Sequence, residues 1–292
     1  MNKIKNNLEE EMISLLSNCM KQKNDINYVG NHPIRVIEAA KSIIGLSLDN
    51  PPIKLINYIK TQKNSNNLNR DKILNSDAET VSIYQLENLI NENNFEGAIK
   101  TIEQLVKLSD GRHVLEYLLE ISLKRTGKSL LVIWAIYKTL NFIGYTSTHN
   151  VRNALFIAVQ SLINDEFYLD DDLEFKSLDD IFDRFVLNDY QLQIIGCLYE
   201  ILNEEFIREK SIKISSEKFL KSFTYNLKEL SITKNKTLLS IDSREDLLGI
   251  FEYVKIDDKN ILNINALRSY MKNCTKINKN KLNFYITSMR DN

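Results

Sequence analysis

Apolar side chains recur every three to four positions along most of this chain. In the first twenty residues they fall at Ile4, Leu8, Met12, Leu15, Leu16 and Cys19, one stripe of an amphipathic helix. Asn31-His32-Pro33 restarts the pattern, with Asn31 as a candidate N-cap and proline tolerated in a first turn. The spacing predicts a helix over residues 33–46, whose small Ala39 and Ala40 invite a close neighbour. Asp49-Asn50-Pro51-Pro52 stops it and starts a short helix through Leu55, Ile56 and Ile59. Residues 60–70 are polar and asparagine-rich, the character of a linker. Helices are then expected over 77–90, from 95 onward, and over 113–124, 130–143 and 147–162. Beyond an acidic stretch, more are expected near 189–208, 216–230, 243–254, 263–272 and 282–289. Trp134, Ile136, Tyr137 and Leu140 make 130–143 apolar on most sides, which marks a central core helix. At the 243–254 start, Ser243 followed by Asp246 approximates a capping box.

Composition sharpens this into a fold class. There are eight glycines and three prolines, and no proline follows Pro52. Sheet proteins spend both residues on turns, so the shortage argues for long helices joined by Asn, Ser, Asp and Lys. The expected architecture is all-α, a multi-helix bundle or short α-solenoid of about ten to thirteen helices. Four regions are expected: an N-terminal helical hairpin over 1–62, a polar linker over 63–76, a central bundle over 77–212 packed with 1–62, and a C-terminal helical lobe over 213–292. Any break between the last two falls near 210–215.

Two local patterns refine the picture. The turn Asn91-Glu92-Asn93-Asn94 and the helix from Phe95, with small Ala98 and inward Ile102, Leu105 and Val106, resemble one hairpin of a tetratricopeptide-type solenoid. Residues 33–46 and 130–143 also match in character at Ile34/Leu131, Val36/Ile133, Lys41/Lys138 and Ser42/Thr139, which raises a duplicated helical hairpin as an expectation.

Net charge is −1, so no global field recruits nucleic acid or an anionic membrane. The longest apolar runs fall well short of the ~20 residues of a membrane span. Three separated cysteines, Cys19, Cys197 and Cys274, suit a reducing compartment better than a disulfide framework. A cytoplasmic protein is expected.

Several constellations could carry chemistry. Thr126-Gly127-Lys128-Ser129 resembles the end of a phosphate-binding loop, but a helix precedes it where a strand is required, and Gly127 reads more simply as a helix-closing residue. Asp179-Asp180-Ile181-Phe182-Asp183 resembles the pattern with which all-α isoprenoid synthases hold magnesium and a diphosphate, with a looser version at residues 170–174. The plainer reading is an acidic helix start that complements the helix dipole. The three histidines His32, His113 and His149 each stand near a predicted helix N-terminus. His113 with Glu116, and His32 with Glu38, could converge between duplicated hairpins, with His149 joining them as a base or metal ligand. Capping or surface histidines are the alternative.

The leading expectation is a non-catalytic helical scaffold that binds another protein through an inter-helix groove, with no cofactor. The rival is an all-α enzyme with a buried His/carboxylate site built on His32, Glu38, His113, Glu116 and His149 and dependent on a transition metal. A third is a magnesium-dependent, isoprenoid-synthase-like enzyme on Asp179, Asp180 and Asp183.

Overall fold

The structure is a computed structural model describing residues 2–21, 32–62, 81–163, 165–167, 177–224 and 241–291. Among these residues there are thirteen α-helices, one 3-10 helix and no strand, so the chain is all-α. In chain order the helices are α1 (Asn2–Cys19), α2 (Ile34–Ile44), α3 (Ile53–Thr61), α4 (Ile83–Asn91), α5 (Phe95–Leu108), α6 (Arg112–Ser122) and α7 (Lys128–Ile143). They continue with α8 (Thr148–Ile163), α9 (Leu178–Arg184), α10 (Asp189–Ile201), α11 (Glu209–Thr224), the 3-10 helix Glu245–Glu252, α12 (Asp258–Asn273) and α13 (Lys279–Asp291). None of the described helices is long and apolar enough to cross a membrane.

Four helices form the centre. Helix α2 packs on α7 and α12, and α10 packs on α12 and α7. Helix α7 is buried at residues 129–137, 139 and 140, as its all-round apolar surface requires. Around this ring, α1 covers α2 and α7, α6 and α8 cover α7, and the α4–α5 hairpin packs on α8. Helix α11 leans on α6, and α9 leans on α10.

A close approach in the ring explains one glycine. A Cβ added at Gly196 in α10 would lie 2.6 Å from the Cα of Ala266 in α12. Backbone cannot yield as a flexible side chain can, so only glycine allows the two helices to meet there.

Local chemistry sets the ends. The α4–α5 turn forms as its sequence suggests: the Asn94 side chain accepts from the Gly97 backbone N–H at 2.9 Å, and Ala98 is fully buried at the contact. Asp246 accepts from the backbone N–H groups of Asp242 and Ser243 at 2.8 and 2.7 Å, one half of a capping box. The helix this starts is of the 3-10 type.

Two boundaries differ from the periodicity. The helix expected over 189–208 ends at Ile201, and the Asn203 side chain donates to the Tyr199 carbonyl at 2.8 Å. The chain then turns and inserts Phe206 against Trp134 and Tyr137, with the Tyr137 ring centroid 5.2 Å away. An aromatic anchor ends the helix where spacing alone would continue it. The next helix starts at Glu209, so residues 210–215 lie inside α11. Because α12 packs on α10 and α2, residues 258–273 share one core with the chain before 212. The linker expected over 63–76 lies outside the described residues.

Replacing Gly196 by Ala forces α10 and α12 apart. It should lower unfolding free energy by ~1–3 kcal/mol, the usual penalty for overpacking a core. Urea denaturation of the variant checks this.

Candidate functional site: a buried charge quartet and an open cleft

Each of the four central helices sends a charged side chain to a common point: Glu38 from α2, Lys138 from α7, Glu200 from α10 and Arg268 from α12. Lys138 Nζ bridges the two carboxylates, 3.0 Å from Glu38 Oε1 and 2.8 Å from Glu200 Oε2. The Arg268 guanidinium closes on Glu200 Oε1. Trp134 Nε1 donates to Glu200 Oε2 and Ser269 Oγ to Glu200 Oε1, each at 2.8 Å. Ser42 Oγ donates to Glu38 Oε1 at 2.7 Å, and Lys41 stands 3.3 Å from the same oxygen.

The electrostatics follow from position. Burial alone would raise the Glu38 carboxyl, but Lys138 and Lys41 outweigh it and hold it below the ordinary range. Glu200 is treated likewise, burial pushing up and Lys138 with Arg268 pulling it far down. Burial disfavours the Lys138 cation, yet Glu38 and Glu200 raise its pKa above the usual lysine value. The charges therefore persist because they face one another.

A second polar ladder runs beside the first. Arg35 Nη2 donates to Gln193 Oε1 at 2.6 Å, Gln193 Nε2 to Asn263 Oδ1 at 2.9 Å, and Asn263 Nδ2 to Asp189 Oδ1 at 2.6 Å. Burial brings the Arg35 guanidinium down to about 10. Between the ladders lies a cavity of about 40 Å³ bordered by Arg35, Glu38, Trp134, Cys197, Glu200 and Ser269. That volume accommodates a few water molecules.

The sequence-predicted residues are distributed differently. His32 is buried and its Nδ1 accepts from the Ile34 backbone N–H at 3.2 Å, so it holds the start of α2. Asn31, the expected cap, lies outside the described residues. His113 and His149 are exposed, and the His149 Nε2 stands 3.1 Å from Asn153 Nδ2. Glu38 belongs to the quartet. Glu116 is fully buried, accepting from Arg112 Nε at 3.1 Å and from the Arg208 backbone N–H at 2.9 Å. Among the described residues no group of three His, Cys, Asp or Glu is arranged to hold a metal ion.

The aspartates of α9 act as latches. Asp179 accepts from Tyr199 Oη at 2.6 Å and from Thr275 Oγ1 at 2.7 Å; burial would raise its carboxyl, and these hydrogen bonds hold it below the ordinary range. Asp183 accepts from Asn278 Nδ2 at 3.0 Å, while exposed Asp180 accepts from Ser177 Oγ at 2.8 Å. Asp179 and Asp183 tie α9 to α10 and to the α12–α13 connection, while Asp180 belongs to the helix's own N-terminal cap. The looser motif at 170–174 lies outside the described residues. Thr126-Gly127-Lys128-Ser129 starts α7, and its first turn is filled by the chain's own carboxylate: the Ser129 backbone N–H and Oγ donate to Asp165 Oδ2 at 2.8 and 2.6 Å. Gly127 adopts a φ of 102°, the left-handed region that favours glycine.

Periodicity gave no sign of a second feature, on the surface. Where α6 meets the start of α11 there is an open cleft of about 570 Å³, bordered by His113, Phe206, Ile207, Arg208, Lys210 and Lys213. Arg208 pins it: Nε and Nη2 donate to Glu120 Oε2 at 3.1 and 2.7 Å, and the guanidinium lies 4.8 Å over the Tyr117 ring. Ile207, 62% exposed, stands at the rim, and Ile214, 46% exposed, lies further along the chain in α11.

Glu200→Gln should cost ~3–5 kcal/mol at neutral pH, because it leaves Lys138 and Arg268 short of a charge. Both quartet glutamates titrate below the 4.5 of a free side chain. Their contribution is therefore complete above that pH and is lost as acid carries the protein down through the folded values. Lys138 works in the opposite sense, its contribution complete below 10.5 and lost as base rises through the folded value. Urea titrations at neutral and acidic pH should show a shallower acid decline in Glu200→Gln than in the wild type.

Comparison with protein-family models, curated proteins and solved structures finds no match for this chain.

Proposed function

We propose that this protein is a non-catalytic helical scaffold that holds another protein in the cleft between α6 and the start of α11. The observation that carries this reading is the pairing of an open cleft of about 570 Å³ with the exposed Ile207 at its rim. An aliphatic side chain in water is favourable to cover, and a cleft of this size receives several side chains of a partner. Its floor is firm: Phe206 is buried against Trp134 and Tyr137, and Arg208 is clamped by Glu120. A preformed surface spends less ordering entropy on binding than a mobile one.

The interior supports the same reading from the other side. The quartet carboxylates are occupied by Lys138, Arg268, Lys41, Trp134 and two serine hydroxyls, and the adjoining cavity is about 40 Å³. The charge at the centre is engaged in holding helices together.

Placing a photo-crosslinking phenylalanine analogue at position 207, and separately at exposed Leu108 outside the cleft, tests the scaffold role in cells that produce the protein. A discrete protein adduct from position 207 and none from 108 is expected. Equal labelling from both positions would refute the reading.

A further inference from the structure

Resting on that scaffold reading, we infer that the segment received by the α6–α11 cleft is acidic, with carboxylates interleaved among aliphatic side chains. In a chain of net charge −1, residues 207–224 carry Arg208, Lys210, Lys213, Lys218 and Lys221 against only Glu209 and Glu217. At the cleft itself, Arg208, Lys210 and Lys213 stand with Glu209, and Glu120 engages Arg208 from behind, leaving one cation in excess.

These cations are not equivalent. Arg208 is engaged by Glu120 and gives the wall its shape. Lys213 pairs with Glu209 one turn away, both side chains roughly half exposed, so the pair is weak and a better anion can displace it. Lys210 is exposed and makes no ion pair among the described residues. The first turn of α11 adds the positive end of a helix dipole on the same side.

The apolar component narrows the occupant. Ile207, in the turn that enters α11, and Ile214, inside the helix, are both exposed and flank Lys210 and Lys213 in the sequence. A sugar-phosphate backbone offers nothing to isoleucines. A peptide that alternates carboxylates with leucine-like side chains satisfies both kinds of site together.

The test uses the full chain and fluorescence anisotropy of a labelled twelve-residue peptide alternating glutamate with leucine. Its control is the same peptide with lysine in place of glutamate. Saturable binding of the acidic peptide alone is expected, weakened about tenfold or more by K210E/K213E and again by raised salt. Ile207→Ser should weaken it as well. All these side chains are exposed or near the surface, so unchanged thermal unfolding of the variants will show that the fold is retained. Equal binding of the two peptides, indifference to charge reversal, or displacement by a single-stranded RNA of similar length would overturn the inference. The two proposals fail separately. A crosslinked partner whose peptide at position 207 is basic removes the acidic chemistry and leaves the scaffold, whereas the absence of any adduct removes the scaffold.

Discussion

A carboxylate at the Glu200 position, taken out of water, is intolerable without cations, and this chain brings its cations from two other helices. Lys138 reaches it from α7 and Arg268 from α12, while Lys138 also holds Glu38 on α2. No pair of helices can satisfy the set alone. The interaction therefore specifies which four elements meet and in what rotation, information that apolar surfaces, being non-directional, supply poorly. Removing one member leaves the others charged and buried.

The rest of the molecule elaborates that centre. Gly196 lets α10 approach the backbone of α12, which places Glu200 and Arg268 within reach of each other. The Trp134 side chain connects inward to Glu200 through its N–H and outward to Phe206 through its ring. Phe206 floors the cleft, and Arg208, two residues on, is bound to Glu116 and Glu120 of α6. The surface proposed to bind a partner is thus joined to the buried charges by a short run of packed and hydrogen-bonded groups. Its rim stays in water, where Ile207 and Lys210 are exposed.

Much of this architecture could be read from the chain. Scarce glycine and proline, with three-to-four spacing, marked the helices, and the apolar run around Trp134 marked α7 as central. The site was less legible. His32, His113 and His149 carry the residue type most often used as ligand and base, yet one holds the start of a helix and two face solvent. The residues that meet at the centre are a lysine, an arginine and two glutamates, which on a helix ordinarily signal an exposed face. Their partners stand far apart in sequence: Lys138 and Glu200 are separated by 62 positions, and Arg268 and Glu200 by 68. Periodicity reports which way a side chain points and not what awaits it there. One trace was present, since Lys138 interrupts a helix otherwise apolar on most sides; a cation in such a place needs a buried acid. The stop of α10 at Ile201 was hidden for the same reason, being set by the tertiary fit of Phe206 rather than by a breaker in the sequence.

Native-state hydrogen exchange on Glu200→Gln, compared with the wild type, tests most directly whether the quartet governs the fold. If it interlocks the four helices, the slowest amides of α2, α7, α10 and α12 should all speed up together and by a similar factor, although the substitution lies on α10 alone. Acceleration confined to α10, with α2 and α12 exchanging as before, would contradict the account.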